Sequence, residues 1–230
     1  MTERDVPAAN ALERVAALGG HFTVAVRDHP PPEGGWRQVT GLYDPATDAL
    51  RDLVDRTAGR LGTDDHRVAA SILHQGYAAR LWSVVLGCTA ATGLVPILNP
   101  ADTYWRSTEQ SLVELLTVTP SATPVGEGPL DRTARLVAAG ALDAHVEPLA
   151  TAVRTATGVS ALVGTLRVLA PHGLGRMPTD IARVLFGTPA LRDGGTVDLA
   201  AEPPVLRRGS CCLFYRVPGG GLCGDCVLQA

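Results

Sequence analysis

The sequence predicts an α+β protein, with a mixed α/β N-terminal half that contains a small sheet, a mainly helical second half, and a short cysteine-bearing C-terminal tail. Segments rich in β-forming residues alternate with helical patterns before residue 120. Beyond residue 130 the apolar residues recur mainly at helical spacing. With 230 residues, of which 46% are hydrophobic, the chain is long enough to bury a substantial core.

Three helices are expected in the first half. Apolar spacing predicts a helix over Ala8–Leu18 that stops at a Gly-Gly pair, and another over Ala49–Arg60. The strongest helical pattern runs from His66 to Leu86, where the apolar side chains form one broad face. Just before this helix lie Thr63, Asp64 and Asp65, which offer an N-cap and acids for the first turn.

Short strands are expected between and after these helices. Each of these segments is rich in β-forming residues and is bounded by turn residues. Ser111–Val118 is also compatible with a helix. The predicted strands are His21–Val26, Trp36–Tyr43, Gly93–Pro100 and Ser111–Val118.

A linker and a run of helices are expected in the second half. Residues Thr119–Pro129 are mostly Pro, Gly, Ser and Thr, which is typical of a linker. A polar connection, Gly187–Pro204, precedes the cysteines. The predicted helices are Leu130–Ala139, Leu142–Thr155, Ser160–Leu169 and Thr179–Phe186.

These elements divide the chain into three parts that we expect to form one compact unit. Residues 1–120 are the mixed α/β part, residues 130–200 the helical part, and residues 205–230 the cysteine-bearing segment.

Composition excludes several classes of function. The net charge of −3 and an aromatic content of 4% argue against a nucleic-acid partner. The chain contains no lysine, which excludes Schiff-base and P-loop lysine chemistry. The N-terminus lacks the apolar stretch of a signal peptide, and no apolar run approaches the roughly 18 residues that span a bilayer. We therefore expect a cytoplasmic protein without stable membrane insertion.

The cysteine pattern C-C-x10-C-x2-C is the most informative motif. It consists of Cys211, Cys212, Cys223 and Cys226, whereas Cys88 stands alone at the end of a helix and is expected to be buried. Four isolated buried thiols so close together would be an improbable coincidence. Stable disulfides are rare in the cytosol, and a bond between adjacent cysteines forms a strained ring.

A metal site explains the pattern better, and two kinds compete. Tetrahedral zinc needs sulfurs about 3.8 Å apart, which is awkward for adjacent side chains because they point to opposite faces of an extended strand. A [2Fe–2S] cluster contains two irons, so a vicinal pair could supply one thiolate to each. The spacing matches neither common ferredoxin pattern, so the spacing alone leaves both alternatives open.

Residues around the cysteines fit either metal. The run Pro218–Gly221 allows a tight turn close to a cofactor. Leu213 and Phe214 could shield a cluster from water. Three arginines near the motif are candidates for tuning its potential, or are ordinary surface charges: Arg207, Arg208 and Arg216.

The segment "CCLFYRVPGGGLCGDCVL", with a basic pair just upstream, resembles the C-terminal motif of the FhuF-type ferric siderophore reductases. A weaker similarity extends to "ASILHQGYAARLWS" and to His145–Ser160. The resemblance implies that all four clustered cysteines bind a [2Fe–2S] cluster. It also implies reduction of Fe(III) in a hydroxamate-type siderophore in the cytoplasm, with electrons from an external donor.

The resemblance assigns no substrate pocket, and the sequence shows no convincing catalytic triad or paired-carboxylate motif. No catalytic acid or base is therefore predicted. Two other functions remain as alternatives: an iron–sulfur sensor or regulatory protein, and a zinc-stapled siderophore-binding module.

Overall fold

The computed structural model describes residues 5–32, 34–126, 128–154 and 157–229. Helices account for 52% of the chain and strands for 14%, so the predicted α+β class is confirmed. The strands form small sheets, and the second half is mainly helical, as expected.

The three helices predicted in the first half are present as α1 (Ala9–Ala16), α2 (Asp48–Leu61) and α3 (His66–Thr92). Asp65 is the N-cap of α3, since its carboxylate accepts a hydrogen bond from the Arg67 N–H at 3.0 Å. Helix α3 runs through Gly87 and continues beyond the predicted end. A methyl group at Gly87 would lie 2.6 Å from Val15, so the glycine lets α1 pack closely against α3.

Among the described residues of the first half, seven short strands form two sheets. The first has the order β1-β7-β4 and is antiparallel throughout, and the second has the order β2-β6-β5-β3 with one parallel pair, β2 with β6. The strands are β1 (Val6–Pro7), β2 (Ala25–Arg27), β3 (Arg37–Gln38), β4 (Leu94–Ile97), β5 (Thr103–Arg106), β6 (Glu114–Val118) and β7 (Ser121–Pro124).

The linker predicted at Thr119–Pro129 is wrong in its first part, and Glu127 lies outside the described residues. Strand β7 pairs with β1 on one side and with β4 on the other. Its Ala122 is fully buried, so backbone pairing and packing override a composition typical of a linker.

All four predicted strands are shorter in the structure, and strands β1 and β5 were not predicted. His21–Val26 begins in a 3₁₀ turn, Gly20–Phe22, and Trp36–Tyr43 continues after β3 as a 3₁₀ turn, Val39–Leu42. Strand β5 was missed because its sequence shows no apolar alternation.

One continuous helix replaces the first two helices predicted after residue 130. It comprises α4 (Leu130–Val137), a π-helical segment (Ala138–Val146) and α5 (Glu147–Val153), so Gly140 does not end it. A side chain at Gly140 would lie 3.0 Å from the Pro96 carbonyl oxygen, which shows how closely the helix approaches β4. Thr155, the predicted end of the second helix, lies outside the described residues.

Two further helices agree approximately with prediction: α6 (Gly158–Leu169) and α7 (Arg176–Leu185). The polar connection predicted at Gly187–Pro204 instead contains α8 (Pro189–Arg192) and β8 (Gly195–Asp198). Strand β8 pairs in antiparallel register with β9 (Val205–Arg208). This hairpin leads directly into the cysteine segment.

The helix Leu130–Val153 is long and apolar enough, by length and composition, to cross a membrane. It nevertheless contributes buried side chains such as Val137, Leu142 and Leu149 to the core and packs against α3. A core helix of a soluble protein passes the same test, so the finding does not indicate a membrane span.

Helix α3 is the centre of the fold, because α1, α2, α6 and the π-helical segment all pack against it. The buried core runs from Leu12 in α1 through Trp82 in α3 to Leu162 in α6 and Leu206 in β9. The division into residues 1–120, 130–200 and 205–230 stays a prediction.

Candidate metal centre

The β8–β9 hairpin places the cysteine segment on the helical core. The last residue of β9, Arg208, pairs with Gly195, and the Gly209 N–H donates to the Gly194 carbonyl at 2.9 Å. Gly195 has φ +151°, and a side chain there would lie 2.4 Å from the Arg207 carbonyl oxygen. Glycine is therefore required for the two strands to approach, and the hairpin fixes the chain three residues before Cys211.

The vicinal cysteines face different environments. Cys212 is 3% exposed, whereas Cys211 is only partly buried. The next residue, Leu213, adopts the left-handed conformation with φ +63°, and its N–H donates to the Cys211 sulfur at 3.3 Å. The chain therefore turns sharply after the pair, with one thiol directed inward and the other near the surface.

The second pair of cysteines lies in a tight turn. The Cys226 N–H donates to the Cys223 carbonyl at 3.0 Å, which closes the Cys-Gly-Asp-Cys loop. The Cys212 and Cys223 sulfurs are 3.5 Å apart, close to the spacing of two ligands on one metal. The structure thus brings one member of each pair together.

The glycine-rich turn joins the two pairs. Gly219 has φ +71°, and the Gly220 N–H donates to the Val217 carbonyl at 2.8 Å. A side chain at Gly220 would lie 2.5 Å from the Phe214 carbonyl oxygen. The turn closes as predicted for Pro218–Gly221, and Gly220 is the position that tolerates no side chain.

Two ion pairs attach the segment to the helices. In α6, Arg167 donates to Asp225 at 2.8 Å and to the Pro204 carbonyl at 2.8 Å. Arg216 donates to Asp65, the N-cap of α3, at 2.9 Å. Burial raises the pKa of Asp65, but hydrogen bonds from Arg67 and Arg216 outweigh it and hold the pKa below its usual range.

The donor set fits an iron–sulfur cluster. All five cysteines are free thiols, and four of them lie within this segment. Cys212 and Cys226 are buried while Cys211 and Cys223 are partly exposed, so a cofactor held here would lie near the surface. Within the described residues, however, no three Cys, His, Asp or Glu side chains converge at metal-binding geometry.

Cys88 lies outside the cysteine segment, in α3. It is fully buried in α3, and its thiol donates to the Ala11 carbonyl at 3.4 Å. Burial raises its pKa to about 12, so it behaves as a packed, protonated side chain. This agrees with the expectation that Cys88 is structural.

A cavity of about 480 Å³ adjoins the cysteine segment, and no sequence pattern predicted it. Gly209 and Ser210 form part of its wall, directly before Cys211. The remaining walls come from the α3–α5–α6 region and from the turn before β8, and they include His74, Thr151, Arg154, Val159 and Asp193. Because these residues are widely separated in the chain, no local pattern could have identified them.

His74 on the cavity wall is a neutral structural residue. Its Nε2–H donates to the Val146 carbonyl at 3.1 Å, and its Nδ1 accepts from the Thr157 hydroxyl at 2.7 Å. Burial lowers its pKa to about 4. It therefore carries no charge into the cavity at neutral pH.

Comparison with known families identifies the segment. Residues 208–228 match the family model described as the FhuF 2Fe-2S C-terminal domain, and the match contains all four clustered cysteines. The resemblance inferred from the motif is confirmed for these residues. The match indicates a [2Fe–2S] cluster rather than zinc. No curated protein matches the chain.

Proposed function

We propose that this protein is a ferric-siderophore reductase of the cytoplasm. In this proposal Cys211, Cys212, Cys223 and Cys226 hold a [2Fe–2S] cluster, and one electron passes to Fe(III) in a hydroxamate-type siderophore. The observation that carries the proposal is the family match over residues 208–228, which includes this cysteine set. The FhuF domain points to ferric siderophore reduction as the broad activity.

The reaction requires only that the chain hold the cluster and position the ferric siderophore close to it. Hydroxamate oxygens are hard ligands that bind Fe(III) strongly and Fe(II) weakly. When bound, the cluster supplies one electron at a time. That electron converts Fe(III) to Fe(II), no covalent bond to the protein forms or breaks, and the weakened complex releases its iron.

The location of the cysteines supports outer-sphere transfer. Cys211 and Cys223 are partly exposed, and the neighbouring Tyr215 and Leu222 are 44% and 51% exposed. Outer-sphere transfer requires a redox centre that a docked siderophore complex can approach closely, and partly exposed cysteines allow this approach. The cysteine segment meets this requirement.

The cavity beside Ser210 is our candidate docking site for the siderophore. Its volume of about 480 Å³ lies within the usual range of ligand pockets, roughly 300–1,000 Å³. The Thr151 hydroxyl and the Arg154 guanidinium in its wall could donate hydrogen bonds to hydroxamate oxygens. A complex docked there would lie beside the residues that lead into Cys211.

Electrons are proposed to come from a separate one-electron carrier. The sequence contains no nicotinamide or flavin motif that could supply them within the chain. Each turnover then oxidises the carrier by one electron and reduces one Fe(III) to Fe(II).

The test is release of Fe(II) by the reduced protein. Anaerobically purified protein is reduced with dithionite, freed of excess reductant and mixed with ferrioxamine B in the presence of a ferrous chelator. We expect the chelate to form as the visible absorption of the oxidised cluster returns, with up to one Fe(II) per cluster. A Cys223→Ser protein carried through the same steps is the control.

Ferric complexes of a catecholate and of citrate, run in parallel, test the substrate class. Faster reduction of the hydroxamate would support the proposed substrate. If the reduced protein releases Fe(II) from none of the complexes, the reductase proposal is wrong.

A further inference from the structure

Arg208 is a buried cation with no anionic partner. The residue is 3% exposed, and one guanidinium nitrogen, Nη1, donates to the Gln75 side-chain oxygen at 3.3 Å. The other, Nη2, is buried without a hydrogen-bond partner. Among the described residues, no carboxylate lies within ion-pair distance of Arg208. The guanidinium therefore has one neutral acceptor and one orphaned donor.

This situation is physically costly. An arginine side chain stays protonated in proteins, so it cannot relieve burial by losing its charge. A buried charge without a counter-charge destabilises the folded state strongly, and an unsatisfied buried donor adds to the cost. A compensating anion at this position would remove both costs.

The other arginines of this region are different. Arg207 is exposed and donates to the Gln229 carbonyl at 3.3 Å. Arg167 and Arg216 each form an ion pair with an aspartate, at 2.8 Å and 2.9 Å. Of these four arginines, Arg208 alone is buried without a carboxylate partner.

The position of Arg208 connects it to both halves of the cysteine motif. It lies three residues before Cys211, and its backbone N–H donates to the carbonyl of Asp225, which lies between Cys223 and Cys226. Its side chain turns inward from β9 towards α3, where it meets Gln75. One helical turn earlier on α3, the hydroxyl of Ser71 is also buried without a partner.

We propose that Arg208 is the counter-charge of the [2Fe–2S] cluster and tunes its reduction potential. The cluster is the anion that the family match indicates for this segment, because four thiolates and two sulfides exceed the charge of its irons. The inference requires the cluster but does not depend on siderophore reduction.

The positive charge of Arg208 determines the direction in which it shifts the reduction potential of the cluster. Reduction adds one negative charge to an already anionic group, so a nearby cation stabilises the reduced form more than the oxidised form. Arg208 therefore raises the reduction potential. Removing its charge should make the cluster harder to reduce, whereas replacing it with another cation should preserve most of the effect.

The experiment is a redox titration of the full-length, cluster-containing protein, followed by visible absorption and by EPR of the reduced form. We expect Arg208→Met to lower the midpoint potential by at least the equivalent of a tenfold change in equilibrium constant, about 59 mV for one electron. Arg208→Lys should remain near the wild-type value. Arg207→Met, a matched charge loss at the exposed neighbour, should shift it much less.

Loss of the cluster is also informative. If Arg208→Met fails to retain iron and sulfide while Arg208→Lys retains both, the positive charge is needed to hold the cluster, which supports the proposal. If both variants lose the cluster equally, or if Arg208→Met shifts the potential no more than Arg207→Met, the proposal is overturned. No siderophore is present, so either result leaves the reductase proposal intact.

Discussion

At the scale of single residues, the adjacent cysteines show how one backbone conformation separates two neighbouring side chains. Leu213, with φ +63°, turns the chain immediately after the pair, and the Cys212 sulfur lies 3.5 Å from that of Cys223. Cys211 stays near the surface and accepts the Leu213 N–H. A cofactor with two metal atoms can use thiolates placed in this way, whereas a single ion would need both on one side.

The proposed ligand set can be tested by comparing two cysteines of opposite character. Cys223→Ser should abolish the cluster, seen as loss of visible absorption, of the EPR signal of the reduced protein, and of bound iron and sulfide. Cys88→Ser should keep all three, because Cys88 is buried in α3 and a serine hydroxyl can still donate to the Ala11 carbonyl. Loss of the cluster in the Cys88 variant would contradict the ligand set.

At the scale of elements, the turn between the cysteine pairs depends on the close approach of its own backbone. The Phe214 and Val217 carbonyl oxygens lie 2.5 Å and 2.8 Å from the position of a side chain at Gly220. Next to it, a side chain at Gly221 would meet nothing within 4 Å. A side chain would therefore clash at Gly220 but not at Gly221, so the two neighbouring glycines provide a test and its control.

Gly220→Ala should open this turn and weaken cluster binding, whereas Gly221→Ala should be tolerated. We expect overpacking at Gly220 to cost about 1–3 kcal/mol of folding free energy, typical of a buried steric clash. Cluster content per chain and the half-life of the visible absorption in the presence of an iron chelator measure the effect. Equal half-lives for the two variants would show that the turn does not constrain the cluster.

At the scale of the whole molecule, two buried histidines join elements that are far apart in sequence. The Nε2–H of His145 donates to the Leu98 carbonyl, and its Nδ1 accepts from the Tyr43 hydroxyl, both at 2.5 Å. The Tyr77 hydroxyl lies 2.7 Å from that of Tyr43 and continues the chain of hydrogen bonds. His74 is held similarly, between Val146 and Thr157.

This arrangement predicts that the protein loses stability in mild acid. Burial lowers the pKa of both His74 and His145 to about 4, whereas in the unfolded chain each has a pKa near 6.5. Between these values the unfolded state binds more protons than the native state, so the free energy of unfolding decreases as the pH falls. Each histidine contributes at most about 1.4 kcal/mol per pH unit.

Urea unfolding at pH 7.5 and 5.5 measures this dependence. His145→Gln should reduce the difference in unfolding free energy between the two pH values, even though it lowers stability at both. A difference as large in the His145 variant as in the wild-type protein would contradict the assignment.

The sequence by itself determined the features that depend on residues close together in the chain. Helices α1, α2 and α3 follow from local apolar spacing, and the cap of α3, Asp65, is one of the three adjacent candidates Thr63, Asp64 and Asp65. The four cysteines and the glycines between them lie within sixteen residues. Their spacing was therefore enough to predict a metal centre and its resemblance to a known family.

Only the tertiary structure decided the features that depend on partners far away in the chain. Strand β7 forms from a segment of linker-like composition because β1 and β4 pair with it on both sides. The cavity beside Ser210 is assembled from separate parts of the chain. Sequence alone could not tell whether Arg207, Arg208 or Arg216 faces solvent. Pairing of β9 with β8 sends the Arg208 side chain inward to Gln75, because alternate residues of a strand point to opposite faces.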